Sequence, residues 1–137
     1  MIFNHNDYLK YELPENWCTE TDGDNVLIYN PKGNGAITLS FFNILEPKEV
    51  LDERISIMAK KFIDQNGITL QTPLILHNTN EGKTILYGTG IDADNWFIKL
   101  WVVAEYPKLV FATYHCEKKS VEVKKCDAII HSMEFSV

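Results

Sequence analysis

The apolar residues of this chain alternate with polar ones in some stretches and recur at helical spacing in others. Tyr8-Leu9-Lys10-Tyr11-Glu12-Leu13 alternates with period two and stops at Pro14, as a strand does. Asp22-Gly23-Asp24-Asn25 is a hairpin turn signal, and Val26-Leu27-Ile28-Tyr29 follows it as a strand. Asn30-Pro31-Lys32-Gly33-Asn34-Gly35 is a second loop, leading to a third strand over 36–42. The clearest helix is predicted over 47–66, where Leu51, Ile55, Met58 and Phe62 share one stripe with Ala59 and Ile63 beside it. Pro47 suits the first turn; Glu49, Asp52 and Glu53 favour the positive end of the helix dipole, Lys60 and Lys61 its negative end. Gly67 is placed to terminate the helix.

Short strands are expected over 68–70 and 74–77, then a turn over 78–82 and a strand over 83–91. In that strand Ile85, Tyr87, Thr89 and Ile91 share one face, while Leu86, Gly88 and Gly90 leave the other small enough for a helix to approach. Asp92-Ala93-Asp94-Asn95 turns into a strand over 96–104. Trp96, Ile98, Leu100 and Val102 line one of its faces, and Phe97, Trp101 and Val103 the other, which predicts a central strand covered on both sides. A further apolar strand over 109–116 precedes an amphipathic segment over 117–133. There Val123, Cys126, Ile129, Ile130 and Met133 form one stripe, and Lys118, Lys119, Lys124 and Lys125 fall mainly outside it. Hairpins dominate and no strand–helix alternation recurs. The expectation is an α+β fold, a mostly antiparallel twisted sheet with helices packed on it, in one domain over 1–137.

This order resembles the PsbP-like fold, a group that also takes in a yeast Ran-binding import factor and bacterial secretion chaperones. The residues that carry the resemblance are Tyr11-Glu12-Leu13-Pro14-Glu15-Asn16-Trp17, the Asp22-Gly23 turn and Ala36-Ile37-Thr38-Leu39-Ser40. Towards the C-terminus they are Leu109-Val110-Phe111-Ala112-Thr113-Tyr114-His115-Cys116, then Ser132-Met133-Glu134-Phe135. The resemblance implies a layered α/β/α sandwich and an interaction role, because these families are described mostly as binding or assembly proteins. It brings no site motif to this chain, and a shared fold does not fix a function.

Composition narrows the partners. A formal net charge of −6 disfavours nucleic acid and anionic membranes, and leaves another protein, a basic one, as the expected partner. No apolar run approaches the roughly 20 residues that span a bilayer. The opening Met1-Ile2-Phe3-Asn4-His5-Asn6-Asp7 lacks the pattern of a secretory signal. Three irregularly spaced cysteines do not make a secreted disulfide framework, so a cytoplasmic location is expected.

No constellation announces a reaction. His115-Cys116 with Cys126, joined by Cys18, is the strongest metal candidate. Adjacent residues on a strand point to opposite faces, however, and Cys126 lies on an apolar stripe, so buried structural cysteines are expected and no metal or cofactor is assigned. The two acidic turns lack the spaced oxygens of a calcium loop and read as Asx turns. There is no G-x-S-x-G, and Gly88-Thr89-Gly90 lies inside a strand. Asp52-Glu53 reads as a solvated pair, and His5, His77 and His131 stand alone. No catalytic residue is assigned.

Surface anchors remain. Trp17, Trp96 and Tyr106 lie at element ends, and Lys99 is the odd charge in an apolar strand; these four are the partner-binding candidates. The expected function is a non-enzymatic interaction module, a bacterial chaperone-like adaptor or a toxin-neutralising immunity protein. The alternative is a small-ligand-binding protein or weak hydrolase with a pocket between helix and sheet.

Overall fold

The computed structural model describes residues 2–5, 8–79, 82–119 and 121–136. The chain opens with the strands Ile2–His5 (β1), Leu9–Glu12 (β2), Cys18–Asp22 (β3), Asn25–Tyr29 (β4) and Gly35–Asn43 (β5). A 3-10 turn over Lys48–Val50 leads into the helix Leu51–Gln65 (α1). Thr69–Leu70 (β6), Ile75–Asn78 (β7), Thr84–Ile91 (β8), Phe97–Glu105 (β9) and Lys108–Cys116 (β10) follow, then the helix Glu122–His131 (α2) and Glu134–Phe135 (β11). Asn80, Glu81 and the His5 side chain, which figure in the sequence reading, lie outside the described residues.

Among the described residues all pairings are antiparallel. The large sheet runs β3-β4-β5-β10-β9-β8-β6, and β7 pairs with β8 alongside β6. A small sheet, β1-β2-β11, packs over it. Strand β9 is central, as its doubly apolar alternation requires. Phe97, Trp101 and Val103 enter the core shared with α2 and β2, and Ile98, Leu100, Val102 and Ala104 enter the core beneath α1. The result is an α+β sandwich with a helix on each face of an antiparallel sheet.

Helix α1 ends as Gly67 foretells. Gly67 takes φ +61°, the Ile68 N–H donates to the Ile63 carbonyl at 3.0 Å and the Gly67 N–H to the Asp64 carbonyl at 3.5 Å, a Schellman closure. Three expectations need correction. The buried stripe of α1 is Leu51, Ile55, Ala59 and Ile63, and Met58 and Phe62 are only half-buried, because they lie along the side of the helix that borders an open groove. The last turn of α1 holds no basic residue; Lys60 and Lys61 come earlier. What packs on Gly88 and Gly90 is the segment after the helix: an added Cβ would lie 2.8 Å from Leu74 Cδ2 and 2.6 Å from the Thr69 carbonyl oxygen respectively. Strands β1 and β3 were not anticipated. Cys18-Thr19-Glu20-Thr21-Asp22 is a polar edge strand with no apolar alternation to reveal it.

Candidate functional site

On the α1 face, neighbouring strands put residues in rows. Ile98, His115, Ala36, Tyr29 and Cys18 form one row across β9, β10, β5, β4 and β3, and Leu100, Thr113, Thr38, Leu27 and Glu20 the next. The β9 members are buried under α1, whereas the β5, β4 and β3 members are half-buried or exposed. The helix therefore covers half of this face, and a trench follows its side where the covered half meets the open half.

Two helical series wall the trench: Arg54, Met58, Phe62 and Asn66 at four-residue spacing, and Ile57, Lys61 and Gln65 beside them. Ser40, Phe42 and Phe111 face them from the sheet. The middle section is a groove of about 520 Å³. It continues past Phe42, Arg54 and Met58 into a depression of about 180 Å³ at Leu45, and past Phe62 into a cleft of about 300 Å³ at the other end. Phe42, Leu45 and Ile57 expose 43%, 92% and 45% of their surfaces. Arg54 pairs with Glu46 at 3.2 Å, and Lys61 lies about two turns further along. This end is apolar with basic residues on its rim.

The far end is polar. Asp92 Oδ1 accepts the Asp94 N–H at 2.9 Å and the Trp96 N–H at 3.0 Å, an Asx turn that sets the β8–β9 connection. Its Oδ2 lies 2.6 Å from His115 Nε2, and the Trp96 ring packs on the His115 ring at 5.0 Å. The Trp96 N–H, followed by the His115 ring and the Asp94 N–H, holds the Asp92 carboxyl below its ordinary value of 3.8. Thr38 and Thr113, directly opposed on β5 and β10, line the same cleft.

The sequence candidates do not converge. Trp96 is exposed, at the polar end of the trench. Trp17 is 7% exposed and belongs to the core beneath α2, so its ring offers no anchor to a partner. Lys99 points to the opposite face, where its ammonium donates to Asp127 Oδ1 at 2.7 Å and lies 5.4 and 5.3 Å from the Tyr87 and Trp101 ring centroids. The odd charge of β9 is thus neutralised by α2. Tyr106 is half-buried, with its hydroxyl donating to the Glu46 carbonyl at 2.7 Å. His115 and Cys116 face opposite sides, and Cys116 and Cys126 are buried. Among the described residues no three His, Cys, Asp or Glu side chains gather as metal ligands. No helix among the described residues is long and apolar enough to cross a membrane.

Sequence reasoning missed Phe42, Arg54, Ile57 and the Asp92–His115 pair. Ile57 carried a signal, an isoleucine outside the buried series of α1. The Asp92–His115 pair carried none, since it depends on the register of β8, β9 and β10.

No family model matches the sequence, and no curated protein matches it in sequence. Similarity lies in the fold. The solution structure of cyanobacterial PsbP (CyanoP) from Synechocystis superposes with a TM-score of 0.65 at 11% identity, covering 98% of this chain and 91% of that one. The Saccharomyces cerevisiae Ran-binding protein Mog1p gives 0.59 at 8% identity, with 93% and 89% covered. A protein from Bacteroides thetaiotaomicron gives 0.55 at 16% identity, with 93% of this chain but 45% of that one covered. At these identities the likeness establishes architecture alone, and the architecture of this chain is the PsbP-like fold.

Proposed function

We propose that this chain is a non-enzymatic protein-interaction module whose trench between α1 and β5 receives a segment of another protein. The observation that carries the reading is the contiguity of Phe42, Leu45 and Ile57, three exposed large apolar side chains along one groove. Apolar surface gathered in this way gains free energy when a partner removes it from water, and such patches mark interaction sites. The fold shared with a Ran-binding protein supports a protein as the occupant. The net charge of −6 favours a basic partner, drawn in by complementary potential. In this reading the chain works in the cytoplasm as a bacterial chaperone-like adaptor or a toxin-neutralising immunity protein.

A tagged pull-down from the source lysate, at low and high salt and with mass-spectrometric identification, tests this when run beside Phe42→Asp and Ile57→Asp. Each variant should retain its fold, since both side chains are already partly in water. Each should lose capture of one stoichiometric partner by at least about tenfold, as interface anchors do. Undiminished capture by both variants would contradict the reading.

The trench also lies between helix and sheet, where a small-ligand site was the alternative, and the Asp92–His115 pair is the observation that favours it. A thermal-shift panel of metabolites separates the two, because a specific ligand raises the melting temperature by mass action.

A further inference from the structure

We infer that the edge strand β7 is a self-association surface, on which a second copy of this chain adds its own β7 as an antiparallel strand. The Thr79 N–H donates to the Lys83 carbonyl at 2.8 Å, and β7 pairs on from there with Asn78 opposite Thr84 and Ile75 opposite Tyr87. Antiparallel bonding alternates, so Ile75 and His77 bond towards β8, while Leu76 and Asn78 turn their N–H and C=O groups outward. Among the described residues β7 has no other neighbouring strand. All four of its residues are exposed, Ile75 and Leu76 included, and so is Leu70 of β6 on the same side of β8.

Charge decides which strand fits this edge. The run from Gln65 to Asn80 carries no Asp, Glu, Lys or Arg, the longest such run in a chain of which 23% is charged. The opposite edge of the sheet, β3, carries Glu20 and Asp22. Sheet edges are ordinarily guarded by charge, and β7 lacks that guard. A basic foreign partner finds no carboxylate on β7 to draw it in, whereas an uncharged strand meets no repulsion there. Strand β7 is itself such a strand. Two copies of net charge −6 repel one another, and this edge brings no carboxylate of its own to the contact. The edge is also self-complementary. A two-fold axis that sets Leu76 of one copy opposite Asn78 of the other uses every outward N–H and C=O of β7 in both.

The test is sedimentation equilibrium of the purified chain from about 5 to about 500 µM, with amide exchange of 15N-labelled protein followed at both ends of that range. The mass should rise from monomer to dimer across it, because the small area of a single strand pair gives weak association. Exchange at Leu76 and Asn78 should slow as the dimer forms, while Ile75 and His77, already bonded to β8, should not change. Leu76→Lys puts a like charge on each edge and should weaken dimerisation by at least about tenfold. Its fold should be retained, since the side chain is already exposed. A monomer at every concentration would overturn the inference. So would a dimer that survives Leu76→Lys, one in which Leu76 and Asn78 exchange as in the monomer, or one that breaks with Ile57→Asp instead, which would place the contact in the trench.

Discussion

Asp92 carries more interactions than its place in a surface turn suggests: two backbone N–H groups on one oxygen and the His115 imidazole on the other. Because its carboxyl is held low in the folded state, it adds stability above its unfolded value, and that contribution is lost as pH falls through the depressed folded value. Stability of the native sequence should therefore fall more steeply below about pH 5 than that of Asp92→Asn, whose amide keeps the turn acceptor but does not titrate. Denaturant midpoints measured down the acid limb check this, and parallel curves would refute it. Burial pushes the Cys126 thiol well up and, to a lesser degree, that of Cys116. Both should resist alkylation until the protein unfolds, while half-exposed Cys18 is modified first, an order that peptide mapping reads directly. The buried cysteines were legible from the stripe around Cys126. The role of His115 was not: the sequence pairs it with Cys116, its neighbour, whereas the fold pairs it with a carboxylate brought beside it by strand register.

Helix α1 has one side buried against the sheet and another bordering the trench, to which the proposed reading assigns binding. Ile55 is fully buried against the sheet, and Ile55→Ala should cost about 2–5 kcal/mol in a urea melt. Ile57, 45% exposed on the trench side, should change stability by no more than about 0.5 kcal/mol when replaced by alanine. Comparable losses for the two would mean that the helix faces are assigned wrongly. Helical periodicity located this helix, its apolar side and its glycine stop. It could not show that Met58 and Phe62 sit at a margin, because the margin is set by how far across the sheet the helix reaches. The small residues of β8 do mark a close approach, but not the expected approach of a helix. The partner in that approach, the segment running through Thr69 and Leu74, is fixed only by the chain's path after α1.

At the scale of the whole molecule, alternation and hairpin spacing sufficed for an antiparallel α+β sheet with a doubly covered central strand. They did not give the neighbourhood of β5 and β10, which are far apart in sequence and joined by no hairpin. That pairing creates the candidate site. It sets an open sheet half of mixed character beside a helix-covered apolar half, and the trench runs between them. The edge strand β3 carries Glu20 and Asp22, charges that discourage edge-to-edge pairing and leave the trench as the better place for a partner. The most direct measurement is photo-crosslinking in the native cell from a reactive residue placed at position 57, with position 124 on the exposed side of α2 as control. The account predicts one discrete adduct from position 57, competed by high salt, and none from position 124. Adducts from position 124 alone, or from neither position, would contradict it.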